Sequence, residues 1–407
     1  MDRLAGGRYV VAKERPNVQR VVAILRRTFA GAIAMMGRLR RLRDSLGSRV
    51  PSRPAVTQPV TVAEYDRAEG DAQTELPVPV LMAFRPVTFQ SVGFPVRIAR
   101  ERELLRYVDH NFEAEVPGLY KPGATFAPVG YVNAFTLDEA ALIQRVRDIV
   151  ADLTGHRFGR RIRPMTNLLV QMGPYRVMEA FAASYGIGKL SVFEAGPGLA
   201  YLGALLALQG HRYACYDVTQ SLYLWQGHLL SAVAGEEFLE FAHPENVDHL
   251  GRARVAHVPW WVFAGQLAGT TMRCDIVYSN SNLGEMSLIS LKHLLHISRH
   301  MLSESPVGAF VYFSTGMLAQ NTKEGLETEF RQFGFVKAME TPFVCYVLEG
   351  RDPGRWLEAF RDGIPFYNPA GSDKRSDART VVATPRAEAP LDVQLTQWCF
   401  GWDAPIT

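Results

Sequence analysis

The sequence predicts an α/β fold: a mostly parallel sheet closed by an antiparallel hairpin, preceded by a mostly helical N-terminal cap. Three observations predict it. From residue 189 onward short apolar strands alternate with helices, the pattern of a parallel sheet covered on both faces. A glycine-rich loop, Gly196-Pro197-Gly198, leaves the first of these strands and opens the helix that follows. The last two strands, 335–339 and 343–348, are separated only by Glu340-Thr341-Pro342, a connection so short that it permits only a hairpin.

The elements follow in order. Residues 189–193 form a short apolar strand, and 199–208 an Ala/Leu-rich helix that ends at Gly210. Residues 212–216 are the second strand, with a helix over about 220–233. Residues 254–258 and 275–278 are the third and fourth strands, the latter followed by a helix over about 286–302. Residues 307–313 are the fifth strand, and the hairpin closes the series. Upstream, Leu142, Ile143, Val146, Ile149, Val150 and Leu153 make one apolar helix face over 139–154. A further helix spans 175–185 and stops at Gly186. Residues 60–135 mix strand-like pieces, many prolines and one helix-like run over about 97–108. There is no internal repeat and no low-complexity tract.

The chain has 407 residues, 47% of them hydrophobic, which excludes a disordered protein. The division expected is a basic arm (1–53), a cap region (54–165), a domain holding the alternating strands and helices (166–350) and a C-terminal extension (351–407). The net charge of +3 hides an asymmetry: residues 1–53 carry 13 Lys/Arg against Asp2, Glu14 and Asp44, a balance of +10, while the rest carries −7. In the arm Val21, Val22, Leu25, Phe29, Ala32, Ile33 and Met36 recur at helical spacing among arginines. Such a basic amphipathic helix can dock on its own protein, lie on an anionic membrane, meet nucleic acid or act as a transit peptide. It is too short, and too broken by Arg26-Arg27, to span a bilayer. Cys215, Cys274, Cys345 and Cys399 form no CxxC pair, which excludes a disulfide scaffold and a thiolate-rich zinc site. A reducing compartment follows: a cytoplasmic protein, with peripheral membrane contact through the arm as one option.

The loop carries the chemistry. Its glycines let a ligand approach the backbone, and the helix N-terminus offers unpaired N–H groups. A dinucleotide fingerprint needs a glycine at position 201, where Tyr201 stands. Glu194, two residues before the first glycine, would repel a pyrophosphate and suit a ligand with positive charge, such as the sulfonium and ammonium groups of S-adenosylmethionine. Nineteen residues after Gly198, Asp217 ends the second strand, where a carboxylate can accept both hydroxyls of a ribose. Without a ligand, the glycines could make a tight turn and Asp217 could cap the next helix.

This combination resembles the class I, Rossmann-like, S-adenosylmethionine-dependent methyltransferases over 167–350, terminal hairpin included. Phe193-Glu194-Ala195-Gly196-Pro197-Gly198 looks like the first motif of that fold, with Ala200 replacing its third glycine. Tyr216-Asp217-Val218 with Leu222, Leu224 and Gln226 is similar to the second-strand segment of the sugar O-methyltransferase family. The run from Asp275 through Ser279-Asn280-Ser281-Asn282 to Glu285-Met286 looks like that family's fourth-strand loop. The resemblance implies S-adenosylmethionine as cofactor, with Glu194, Ala195, Gly196, Pro197 and Gly198 around its methionine part. It implies Asp217 on the ribose, Val218 on the adenine, and Ser279 and Asn280 facing the methyl group.

A hydroxyl acceptor must lose its proton to a nearby base, and open α/β sheets place ligands at the carboxyl ends of the strands. Glu285 and His257 qualify by position. Glu285 could equally serve a helix dipole, and His257 could be a half-buried structural histidine. Trp260, with Trp261 beside it, could stack on a sugar or adenine, and Asn282 could orient acceptor hydroxyls; core packing and turn hydrogen bonds are the alternatives. Asp248, Asp275 and Glu285 have no metal-ligand spacing, and His293, His296 and His300 read as a polar helix face, so no metal is expected. The function expected is methyl transfer to an oxygen of a saccharide or glycosylated small molecule. A nucleic-acid methyltransferase and a non-catalytic scaffold of the same fold are the alternatives. No nucleic-acid partner is expected, because Ser279-Asn280-Ser281-Asn282 lacks the proline-containing signature of amino-methylating enzymes.

Overall fold

A computed structural model describes residues 55–84, 96–105, 135–164, 166–265, 272–280, 282–313, 321–340, 343–355 and 357. The basic arm and nearly all of the C-terminal extension lie outside these residues, as do positions 106–108 of the helix-like run near residue 100.

The elements in chain order begin with two helices, α1 (Val62–Glu75) and α2 (Val78–Ala83), and a single 3-10 turn at Glu101–Leu104. Then come α3 (Leu137–Phe158), α4 (Thr166–Val170), α5 (Met172–Tyr185), β1 (Ser191–Ala195), α6 (Tyr201–Leu208), β2 (Arg212–Asp217) and α7 (Gln220–Ala234). The second half holds β3 (Phe238–Glu240), β4 (Val255–Pro259), α8 (Trp260–Gly265), β5 (Ile276–Ser279), α9 (Leu288–Leu302), β6 (Ala309–Tyr312), α10 (Lys323–Gln332), β7 (Phe335–Glu340) and β8 (Val344–Leu348).

The eight strands form one sheet in the order β3-β4-β2-β1-β5-β6-β8-β7. All pairs are parallel except β6 with β8 and β7 with β8, so β8 alone runs backwards, inserted between β6 and β7. The expected α/β class, with its parallel strands and antiparallel close, is therefore the fold, and every described element before residue 190 is helical. The expected series lacked one member. Phe238–Glu240 adds a parallel edge strand beside β4, too short to show a period in sequence.

Local chemistry explains most boundaries. Thr61 and Glu64 make a reciprocal capping box at the start of α1, and Thr136 and Glu139 do the same for α3. The left-handed Gly159 and Gly186 end α3 and α5. Strands β1, β2, β4 and β5 are buried at nearly every position, as strands covered on both faces must be. On one face Phe263 stacks on Tyr216 (3.8 Å between centroids) and on Phe193 (5.8 Å). On the other, helices α6 and α7 cover β2, and α3 packs against both helices.

The N-terminal region is tied to the sheet at the start of α7. Gln220 Nε2 donates to Asp66 (2.5 Å), and Gln220 Oε1 accepts from the Ile98 amide (2.8 Å). Arg97 bridges Asp66 and Glu69, at 2.6 Å to each. These contacts fasten α1 and residues 96–98 over the end of the sheet that carries the glycine loop.

Candidate functional site

Four adjacent strands end level with one another. The register pairs Ala195 with Tyr216 and with Ser279, and Asp217 with Pro259. The carboxyl ends of β4, β2, β1 and β5 thus bring the glycine loop, Asp217 and the loop after Ser279 to one place.

The loop is tightly wound. Gly196, Gly198 and Ala200 all adopt left-handed backbone (φ +68, +56 and +56), and the Ala200 amide closes a turn on the Pro197 carbonyl at 2.9 Å. Ala200 is the one non-glycine with positive φ among the described residues, a conformation that costs about 1–2 kcal/mol for an L-residue. The two glycines serve different ends. A Cβ on Gly196 would meet Asn282 Nδ2 at 2.0 Å, whereas a Cβ on Gly198 would meet nothing within 4 Å. Gly198 therefore presents bare backbone to open space, the form a cradle for a ligand needs. Ala195 is buried, and Pro197 and Val218 are half-buried at the rim.

Glu194 points back under α6 rather than out of the loop. It is 2% exposed and accepts the Tyr213 hydroxyl at 2.6 Å. Burial pushes its carboxyl up to about 8, so at neutral pH the group is mostly protonated unless a cation sits near it. The sequence reading took it as a fixed negative charge; the structure makes it a conditional one.

Asp217 is 5% exposed and does not cap α7, a place taken by Thr219. Its Oδ1 accepts from the Thr219 amide (2.8 Å) and its Oδ2 from Gln226 Nε2 (2.9 Å). Burial raises its pKa while these two donors lower it. Each oxygen keeps a second lone pair, enough for a pair of vicinal hydroxyls. Nearby, the Tyr65 hydroxyl from α1 is fully buried with no hydrogen-bond partner among the described residues, and Asp217 lies within its electrostatic reach. Its ring packs edge-on against Trp261 at 5.0 Å. An unpartnered buried hydroxyl, a bare glycine and a two-point carboxylate fit a polar nucleoside-type ligand.

In the loop after β5, the Ser279 hydroxyl donates to the Asn282 side-chain carbonyl, and Asn282 Nδ2 donates to the Ala195 carbonyl at 2.6 Å. Asn282 thus pins the two loops together. Asn280 and Glu285 are half-buried. Glu285 does not open α9: the helix starts at Leu288 with Ser287 as its cap, and Glu285 stands in the preceding turn, its amide on the Asn282 carbonyl (3.0 Å).

His257 is in a different place from the one a base needs. It is fully buried between Glu240 (Nδ1, 2.8 Å) and Gln226 (Nε2, 3.3 Å), with the Tyr223 ring stacked on it at 3.7 Å. A proton acceptor for a diffusing substrate needs an open nitrogen, and both of these are engaged. Trp260 is 4% exposed, donates to Glu69 at 2.8 Å and stacks on Phe84. It anchors the cap helices to the sheet.

Sequence reasoning missed Glu240, Tyr65 and the role of Gln226. Glu240 left a trace, as an acid within the apolar run Phe238-Leu239-Glu240-Phe241. Among the described residues no group of three or more His, Cys, Asp or Glu side chains is placed to hold a metal ion. Likewise no helix among them is long and apolar enough to cross a membrane.

No family model and no curated protein matches the chain. Solved structures similar to it include magnesium protoporphyrin IX methyltransferase from Synechocystis PCC 6803 with bound SAM (15% identity, 51% of this chain and 97% of that one, TM-score 0.31). Others are a glycopeptide N-methyltransferase (14%, 42% and 90%, TM-score 0.29) and the Burkholderia thailandensis 1,6-didemethyltoxoflavin-N1-methyltransferase (16%, 56% and 93%, TM-score 0.30). The strand order and the reversed β8 by themselves give this chain a Rossmann-like α/β sheet.

Proposed function

We propose that the chain is an S-adenosylmethionine-dependent methyltransferase acting on an oxygen of a sugar or glycosylated small molecule. One observation carries the reading: the bare Gly198 backbone and the two-point Asp217 carboxylate sit side by side at the level ends of β1 and β2. Gly196, Pro197 and Gly198 would line the methionine part, Asp217 the ribose and Val218 the adenine. Glu194 would answer the cationic groups by giving up its proton as they approach. Ser279 and Asn280 would lie on the methyl side.

When bound, the cofactor would supply a methyl group activated on a sulfonium. The residues of the chain would then orient the acceptor and take its proton. Glu285, half-buried in the turn after β5, is the group this reading assigns as base. The oxygen acceptor rests on the likeness of the 275–286 run to the sugar O-methyltransferase family. Residues 166–350 would be the catalytic domain, with 54–165 shaping the acceptor side. The +10 charge of residues 1–53 supports peripheral contact with an anionic membrane.

Calorimetric titration of the full chain with S-adenosylhomocysteine tests the cofactor, and tritiated methyl transfer to a panel of saccharide and glycolipid acceptors tests the reaction. Binding with transfer to a hydroxyl is expected. No binding by the wild type would overturn the first part, and transfer only to nitrogen would overturn the second.

A further inference from the structure

Asp217 owes its orientation to a chain of buried side chains reaching the far edge of the sheet. Gln226, in the middle of α7 and fully buried, donates from Nε2 to two acceptors, the Gly198 carbonyl at 2.7 Å and Asp217 Oδ2 at 2.9 Å. A carbonyl accepts only, and the carboxylate accepts here, so the amide cannot be flipped. Its Oε1 therefore faces His257, and the nitrogen it meets, Nε2 at 3.3 Å, carries a hydrogen. The other ring nitrogen meets Glu240 Oε2 at 2.8 Å, and Glu240 Oε1 accepts from the Tyr223 hydroxyl and from the Ala242 amide (3.0 Å). Asp217, Gln226, His257 and Glu240 come from β2, α7, β4 and β3, and none is more than 5% exposed.

A second feature serves the same chain. Gly227 lies inside α7, where glycine weakens a helix relative to alanine. A Cβ there would stand 3.3 Å from Glu240 Oε2 and 3.4 Å from His257 Cε1. The glycine lets the buried pair lie against the helix backbone.

We propose that Gln226 is a positioning residue of the nucleoside site: it clamps the ribose carboxylate of Asp217 to the glycine loop, and the His257–Glu240 pair behind it holds its amide in the one useful orientation. The inference rests on the cofactor reading above and adds that ribose recognition depends on residues that never touch the ligand. With Thr219 on one oxygen and Gln226 on the other, the carboxylate plane is set before the ligand arrives, so no ordering cost falls on binding.

The test measures Kd for S-adenosylhomocysteine and for its 2′,3′-dideoxyribose analogue (the deoxy ligand), in the full-length wild type, Gln226→Leu and Gly227→Ala. The wild type should prefer the ribose ligand by at least tenfold. Gln226→Leu should lose at least tenfold on the ribose ligand and little on the deoxy ligand, so that the preference collapses towards one. Gly227→Ala removes no hydrogen-bonding group and should reduce the preference about two- to fivefold, which keeps the test informative if Gln226→Leu does not fold. An unchanged preference in the variants, or equal losses on both ligands, overturns the positioning role while leaving the cofactor reading intact. A wild type that binds neither ligand overturns the cofactor reading and this inference with it.

Discussion

The side-chain amide of Asn282 occupies the space that a side chain on Gly196 would need: a Cβ there would stand 2.0 Å from Asn282 Nδ2. The same amide donates to the Ala195 carbonyl at 2.6 Å, so one residue of the β5 loop holds the β1 loop by filling its glycine. Gly196→Ala should expel Asn282 and strain a backbone at φ +68, costing about 2–4 kcal/mol. Urea unfolding measures this. In an Asn282→Ala background the same substitution should cost at least 1 kcal/mol less; additive losses would show that the contact does not matter.

Asp217→Ala should weaken S-adenosylhomocysteine binding by at least tenfold in calorimetry. Unchanged affinity would remove Asp217 from the site.

Glu194 makes stability depend on pH in a direction opposite to that of a salt-bridged acid. Its folded pKa, about 8, lies above the ordinary 4.5, so the folded state holds a proton that the unfolded chain releases. Its contribution is intact below about pH 4.5 and is lost as pH rises towards 8. Glu194→Gln should flatten the slope of unfolding free energy between pH 5 and 8. Equal slopes in variant and wild type would contradict the buried, protonated carboxyl.

The Trp260–Glu69 hydrogen bond joins the cap to the sheet at a buried position. Trp260→Phe removes the donor and leaves Glu69 its Arg97 partner. A loss of about 1–3 kcal/mol in denaturant unfolding is expected. A neutral result would mean that stacking on Phe84 alone carries the contact.

Glu285→Gln should lower kcat about 100-fold while leaving the Kd for S-adenosylhomocysteine within twofold, as loss of a proton acceptor does. A fall in affinity with kcat preserved would make Glu285 a cofactor contact instead.

Much of this was legible in the linear chain. The alternation after residue 189 and the three-residue connection before residue 343 specify a parallel sheet with a reversed strand, because pairing direction follows from connection length. Gly196, Gly198 and Asp217 follow β1 or end β2, which put them at adjoining strand ends, as the alternation implied. Long-range partners were not legible. That Glu194 lies buried against the Tyr213 hydroxyl, that His257 is sealed between Glu240 and Gln226, and that Trp260 faces Glu69, 191 positions away, depend on which face of a strand or helix meets which neighbour. Periodicity tells that a residue is buried, and only the packed sheet tells against what. The sequence by itself determined seven of the eight strands, the closing hairpin and the location of the glycine loop, since local propensity and connection length act within a few residues. The tertiary structure alone decided the burial of Glu194, the enclosure of His257 between Glu240 and Gln226 and the buried chain behind Asp217, because desolvation and hydrogen-bond partnership are set by groups far apart in the chain.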